Sequence, residues 1–162
     1  MLTLSACALS PVYGGGGRSA SARLLNDISV APITDRAGFL VRESLKEQLG
    51  KPAANPRYRL EVLLDDKIVA FGVRGDSSAA RERRTLRARF RLVEASTGTV
   101  VLDDTATADA GIDRVSSNYA VVAAEATALE RLANDIARQI TARLARHGNA
   151  TAKKSTVSDS PR

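Results

Sequence analysis

Two stretches of the chain alternate apolar and polar residues with a period of two, which is typical of strands that are buried on one face. The first covers residues 58–64, and its pattern is compatible with a continuation through Ile68 to Val73, with or without a break at Asp65-Asp66. The second covers residues 86–92, where apolar residues alternate with arginines. The pattern therefore predicts two strands, each with one apolar and one charged face.

Shorter apolar runs predict two further strands, at residues 27–31 and at residues 99–108. Ser96-Thr97-Gly98 is typical of a hairpin turn between strands. The polar segment 74–80 predicts a loop, and residues 111–117 predict a connection before the last element.

A helical period of 3.6 residues appears twice. The first helix is predicted over residues 36–49, with Thr34-Asp35 at its N-cap and Gly50 and Pro52 as its stop signal. One stripe of this helix is expected to face the core: Ala37, Val41, Leu45, Gln48 and Leu49.

The second helix begins near Ser117 or Asn118 and is predicted to run to about Arg146, with Gly148 ending it. Its apolar stripe has spacings of three and four residues, which makes it the clearest amphipathic pattern in the chain. The stripe consists of Val122, Ala126, Leu129, Ala133, Ile136, Ile140 and Leu144.

The order β-α-β-β-β-α predicts a single α+β domain, in which a four-stranded, mostly antiparallel sheet carries two helices on one face. The first helix is long enough to act as a crossover, so it returns the chain parallel to the first strand. The position of the first strand in the sheet order stays open. The opposite sheet face is expected to be polar.

The two ends of the chain are expected to lie outside this domain, which covers residues 23–147. Residues 1–22 contain Leu4-Ser5-Ala6-Cys7, which has the form of a lipobox, followed by a Gly- and Ser-rich tether. The Cys7 thiol would receive the lipid. A signal peptide needs a longer apolar segment before the cysteine, so either translation starts further upstream or the segment has no targeting role. Residues 148–162 are polar and predict a disordered tail.

Composition excludes several classes of protein. The 162 residues include one cysteine and one histidine, which argues against disulfide frameworks, zinc sites and Ser-His-Asp catalysis. Aromatic residues make up only 4%, so a stacking platform for nucleic acid is not expected. We therefore predict a protein that is not an enzyme and that has no metal site, no cofactor and no nucleic-acid partner.

Positive charge is concentrated in residues 74–91, where seven arginines and two acidic residues give +5 of the net +6. Four of these arginines, Arg83, Arg87, Arg89 and Arg91, point to the same face of the predicted strand. If this strand forms a hairpin with the preceding one, two further arginines join that face, together with Glu61 and Asp65. The candidate anion-binding set is Arg57, Arg59, Arg83, Arg87, Arg89 and Arg91. Arginine suits phosphate because its planar fork donates two hydrogen bonds and stays charged. A solvated face paired with its own carboxylates is the alternative.

Several short segments, in this order and spacing, resemble the LptE family of lipopolysaccharide-assembly lipoproteins in its alphaproteobacterial form. The resemblance spans roughly residues 5–146. The segments are Ser5-Ala6-Cys7, Pro11-Val12-Tyr13-Gly14, Ile28-Ser29-Val30, Asp35-Arg36-Ala37-Gly38, Arg57-Tyr58-Arg59-Leu60, Ala79-Ala80-Arg81, Ala88-Arg89-Phe90-Arg91-Leu92, Thr97-Gly98, Ser117-Asn118-Tyr119-Ala120 and Ala124-Glu125-Ala126.

This resemblance implies an outer-membrane lipoprotein on the periplasmic face, anchored through acyl chains such as palmitate. It implies a plug inside an LptD-like β-barrel, a role in assembling that barrel, and direct binding of lipopolysaccharide. Two other classes stay open: an accessory lipoprotein of an ABC-type lipid transport system, and a basic nucleic-acid-binding domain. A barrel partner would distinguish the first from the LptE interpretation, and lipid on Cys7 would exclude the second.

Overall fold

The computed structural model describes residues 20–73, 79–114 and 117–158; Cys7, residues 8–19 of the tether and residues 159–162 lie outside the described residues. The sheet has the order β1-β2-β3-β4, with β1 parallel to β2 and the other pairs antiparallel. The elements are α1 (Ala20–Asn26), β1 (Ile28–Val30), α2 (Asp35–Leu49), β2 (Tyr58–Val73), β3 (Ala79–Glu94), β4 (Val100–Asp113) and α3 (Asn118–Ser158). The predicted α+β class is confirmed, and β1 takes an edge position that the sequence left open.

Helix α2 agrees closely with its prediction. Thr34 occupies the N-cap in an extended conformation, and the helix ends at Leu49 before Gly50. Gly50 adopts a φ of +77°, which an L side chain rarely tolerates, and its N–H donates to the Lys46 carbonyl at 2.9 Å. Except for the half-buried Gln48, the predicted stripe is buried in the core.

The central hairpin is longer than the alternation predicts. β2 continues through Asp65-Asp66 without a break, because residues 58–71 pair one to one with β3. β4 runs to Asp113, so residues 111–113 are not part of the predicted connection. These residues pair with residues 81–83 of β3, and the ladder overrides the weak strand propensity of Ala110-Gly111. Of the predicted loop 74–80, residues 79–80 belong to β3, and the rest lies outside the described residues.

The core lies between one face of the sheet and helices α2 and α3. Phe90 and Leu92 of β3 are fully buried, as are Ile136 and Ile140 of α3. Val122, at the start of the predicted α3 stripe, is 64% exposed instead. Its neighbour Val121 is buried, because successive helical residues lie 100° apart and so point in different directions.

The two ends of the domain are helical, contrary to prediction. Residues 20–22, assigned to the tether, begin helix α1, and residues 149–158, assigned to a disordered tail, continue α3. Gly148 does not end α3. It is a contact position, because a Cβ there would lie 3.2 Å from the Cβ and Cδ2 atoms of Leu24 in α1. Packing between α1 and α3 therefore carries the helix past its glycine.

Candidate functional site

The sheet face opposite the helices carries most of the predicted arginines. Odd-numbered residues of β2 and β3 point to this face, because the even-numbered Leu60, Leu86 and Phe90 point into the core. We call this surface the arginine face. Its basic residues are Arg59, Lys67, Arg81, Arg83, Arg87, Arg89 and Arg91, which include five of the six predicted site residues.

Carboxylates on the neighbouring strands neutralise much of this charge. Glu61 lies opposite Arg91 in the β2–β3 register and binds both Arg91, at 3.0 Å, and Arg59, at 2.8 Å. Arg89 donates two hydrogen bonds to Asp103 of β4, at 3.0 and 2.7 Å. The alternation of β4 places Asp103, Asp109 and Asp113 on this face, a signal present in the sequence that the prediction did not use.

These pairs shift the pKa values of their carboxyl groups. The hydrogen bond from Arg89 lowers the pKa of Asp103 below its ordinary value, and the positive charges of Arg89 and Arg91 add to this effect. The hydrogen bond from Arg59 likewise lowers the pKa of Glu61, with Arg91 contributing. Both carboxylates therefore stay ionised at neutral pH and occupy the guanidinium donors that a phosphate would otherwise use.

Two arginines of the face make no ion pair within the described part of the chain: Arg83 and Arg87. Asp65 lies opposite Arg87 in the register, but it binds Lys67 at 3.0 Å. The Arg83 guanidinium stands over the Phe71 ring, 5.5 Å from its centroid. Both arginines are exposed and have donors available for an external anion.

Exposed apolar side chains lie beside these unpaired arginines. Val69 lies directly opposite Arg83 in the β2–β3 register and is 60% exposed. Phe71, two residues further along β2, is 42% exposed on the same face. We call Val69, Phe71, Arg83 and Arg87 the hairpin patch, because they lie toward the β2–β3 hairpin end. The patch presents cationic donors next to apolar surface, which suits a ligand with an anionic group and acyl chains.

Arg57 lies apart from the arginine face. It precedes β2 and donates to Glu94 through Nε and Nη2, at 3.1 and 2.9 Å, with its guanidinium 5.2 Å from the Tyr58 ring centroid. It lines a surface groove of about 630 Å³ together with Arg23 of α1 and His147 of α3. The sequence analysis placed Arg57 on the arginine face because side chains alternate along a strand. That alternation does not apply to Arg57, which precedes the first residue of β2.

Arg84, one of the seven arginines in the basic segment, has a structural role. It points to the helix side, where it donates to Asp66 at 2.9 and 2.6 Å and to the carbonyl of Glu125 at 3.0 Å. The hydrogen bond to Asp66 raises the pKa of Arg84. Arg84 therefore connects the hairpin to the start of α3 and is not available to a ligand.

The part of the chain that the structure describes holds no cluster of three or more His, Cys, Asp or Glu residues suited to a metal ion. None of its helices combines the length and hydrophobicity that crossing a membrane requires.

Several bacterial lipoproteins of known structure share this fold. A putative lipoprotein from Caulobacter crescentus has a TM-score of 0.67 and 25% identity, over 79% of this chain and 97% of that one. A minor lipoprotein from Acinetobacter baumannii has a TM-score of 0.55 and 16% identity, over 74% and 91% of the two chains. Rare lipoprotein B from Shewanella oneidensis has a TM-score of 0.51 and 12% identity, over 80% and 98%. The domain thus has a fold that bacterial lipoproteins share.

The family follows from the sequence itself. A model of the LptE family, described as "Lipopolysaccharide-assembly", matches residues 25–144, which is most of the chain. A search of curated protein sequences returns no match. The chain belongs to the LptE family of lipopolysaccharide-assembly lipoproteins, and the resemblance inferred from the sequence is confirmed.

Proposed function

We propose that this protein is a non-enzymatic subunit of the lipopolysaccharide translocon, anchored through Cys7 to the periplasmic face of the outer membrane. In this role it plugs an LptD-like β-barrel, assists the assembly of that barrel and binds lipopolysaccharide. Membership of the LptE family over residues 25–144 is the observation that carries the proposal. The mixed charges of the arginine face support it, because they suit the wet wall of a barrel lumen better than an apolar obligate interface.

Within this function, the hairpin patch is the proposed contact for lipopolysaccharide. Lipid A combines phosphates with packed acyl chains, and the patch combines two unpaired guanidinium groups with exposed Val69 and Phe71. The proposed binding face also includes Arg59, Arg89 and Arg91. Each of these arginines is ion-paired with a carboxylate and must release that carboxylate before its guanidinium can bind the ligand. We therefore expect Arg83 and Arg87 to contribute more to affinity than the paired arginines do.

The test of binding compares two double variants with the same change of charge. Arg83→Glu with Arg87→Glu lowers the formal net charge from +6 to +2. Arg131→Glu with Arg146→Glu does the same on exposed positions of α3 and serves as the matched control. We expect the hairpin-patch variant to lose lipopolysaccharide binding about tenfold or more. The control should lose less.

Binding of the wild type should also weaken as salt rises, because screening at working ionic strength acts over about 8–10 Å. Circular dichroism of both variants checks that they fold. Equal losses in the folded variants would mean that net charge alone, and not the hairpin patch, attracts the ligand.

The test of the barrel partner is co-purification from solubilised outer membrane with a tag on this protein. We expect one dominant β-barrel protein at near-equal stoichiometry, and depletion of the tagged protein should lower the amount of assembled barrel. Recovery with an inner-membrane ABC transporter would instead favour the accessory-lipoprotein function. Recovery of the protein alone would contradict the plug role.

A further inference from the structure

The short strand β1 forms one border of the sheet and leaves its outer side open. In the order β1-β2-β3-β4, β1 pairs only with β2. The Asp27 carbonyl and the Ala31 N–H both bond to β2, so the odd-numbered residues direct their backbone groups inward. The N–H and C=O groups of Ile28 and Val30 therefore point outward, and no strand among the described residues pairs with them.

A groove of about 480 Å³ lies along this open side, between β1 and helix α2. The loop after α2 is held beside the start of β1, because the Ala53 N–H donates to the Asn26 carbonyl at 2.9 Å. Strand, helix and loop thus leave space for an extended chain next to β1. The apolar side chains that line this space are Ile28, Val30, Leu49 and Pro52.

Positive charge lines the same groove. Arg42 and Lys46 lie one helical turn apart on α2, Lys51 follows the end of the helix, and no described residue of the lining is acidic. Lys46 binds Glu43 at 2.7 Å, whereas Arg42 and Lys51 form no ion pair with a described residue. The Arg42 Nε atom is buried and has no hydrogen-bond partner in the described part of the chain. The groove therefore combines two unpaired cations with apolar surface.

These features define the chemistry of the occupant. An open strand edge binds an extended segment through main-chain hydrogen bonds, and alternate side chains of that segment give specificity. Side chains that point toward α2 would meet Arg42, Lys51 and the apolar lining. Carboxylates and aliphatic groups at alternate positions of the segment fit this surface, whereas a basic segment would meet like charges.

The edge suits a short segment and does not suit a second sheet. β1 has only three residues, and Pro32 lies two positions after its end. Short edge strands and prolines prevent whole sheets from joining. The strand itself, Ile28–Val30, carries no charge that would repel a peptide. The cations lie on α2 and on the loop after it, where they select for acidic segments.

We propose that the groove between β1 and α2 binds an extended, acidic peptide segment of a partner protein, and that this segment pairs with β1 as an additional strand. Carboxylates of the segment contact Arg42 and Lys51, and its aliphatic side chains contact Val30 and Leu49. The hairpin patch lies at the other end of β2, so this site is separate from the proposed lipopolysaccharide contact and does not depend on it.

Fluorescence anisotropy with a synthetic peptide tests the charge preference. The probe is fluorescein-labelled Glu-Ser-Val-Ser-Glu-Ser-Val, and the full 162-residue chain is titrated into it. We expect the wild type to bind this probe about tenfold or more tightly than the same peptide with Lys in place of Glu. Arg42→Glu with Lys51→Glu should weaken binding about tenfold or more. Arg131→Glu with Arg146→Glu, the control with the same change of charge on α3, should lose less.

Two measurements test the pairing with β1. In the wild type, amide hydrogen exchange at Ile28 and Val30 should slow about tenfold or more when the probe saturates the protein. Val30→Pro removes an outward N–H and keeps the bonds to β2, because an edge strand tolerates proline where its N–H faces outward. This variant should bind the probe about tenfold more weakly. Thermal unfolding of all variants checks their fold.

A wild type that does not bind the Glu probe would overturn the proposal. Equal losses in the two folded double variants would show that net charge and not the groove attracts the peptide, which also overturns it. Unchanged exchange at Ile28 and Val30 in the bound state would exclude pairing with β1. Vesicles containing phosphatidylglycerol are titrated in parallel, and binding of these vesicles in place of the probe would make the groove a lipid contact and contradict the proposal.

Discussion

Replacing Ile136 by alanine tests how α3 packs on the sheet. Ile136 is fully buried in the core between the sheet and the helices. Truncation removes three carbon atoms from this core, and the surrounding side chains relax only partly into the space. We expect the free energy of unfolding to fall by about 2–5 kcal/mol.

That loss is a large fraction of the total, because domains of this kind are stable by about 5–15 kcal/mol. Val122→Ala is the matched control on the same helix. The sequence assigns Val122 and Ile136 to one apolar stripe, but Val122 is 64% exposed in the structure. Its truncation should change stability by about 0.5 kcal/mol or less. Comparing the two variants therefore tests whether burial in the structure, and not membership of the predicted stripe, determines the loss of stability.

Urea unfolding followed by far-ultraviolet circular dichroism measures both values. Fluorescence is less suitable because the chain has no tryptophan and only three tyrosines. With a slope of about 2 kcal/mol/M, the midpoint of Ile136→Ala should fall by about 1–2.5 M, and that of Val122→Ala should stay close to the wild type. Similar losses for both variants would refute the packing described for the start of α3.

Three further predictions concern the arginine face, helix α1 and the anchor. The folded pKa of Asp103 is lowered by Arg89, so the pair stabilises the fold above the unfolded pKa of the carboxyl, and this stabilisation is lost as pH falls through the folded value. Arg89→Gln should therefore raise the pKa of Asp103 toward its ordinary 3.8 in an NMR titration, whereas an unchanged titration would contradict the pair. Gly148→Val should displace α1, because even a Cβ there lies 3.2 Å from Leu24. Amide hydrogen exchange in α1 should accelerate while the sheet stays protected, and unchanged protection of α1 would contradict the close contact. Cys7→Ala should leave the membrane fraction of the native host when no barrel partner is present, and an unmodified thiol in the wild type would exclude the lipid anchor.

The β2–β3 hairpin shows which structural features a local sequence pattern predicts. Alternation along residues 86–92 predicts which side chains face the core, because successive side chains of any strand point to opposite faces. The arginine face was therefore predictable, including Arg87 and Arg89. The full extent of β3 was not, since residues 79–85 precede the alternating segment and are held in a strand by their pairing with β2.

The ion pairs of the arginine face are a feature that the sequence alone does not predict. Arg87 and Arg89 are equivalent in the sequence, but Arg89 binds Asp103 and Arg87 binds no carboxylate among the described residues. The difference arises from the β3–β4 register and from Lys67, which holds the carboxylate that faces Arg87. Register is set between strands far apart in the chain, so only the assembled sheet distinguishes an available arginine from a paired one.

The sequence alone therefore determined the order of the four strands and of helices α2 and α3, the buried stripe of α2, the basic face and the family resemblance, because each follows from neighbours in the chain. The tertiary structure decided which arginines are paired, that Arg84 binds Asp66, and that α3 continues past Gly148 against α1. It also decided that β1 covers only three residues of β2. Each of these features depends on contacts between segments that lie far apart in the chain, and such contacts can outweigh the conformation that the local sequence prefers.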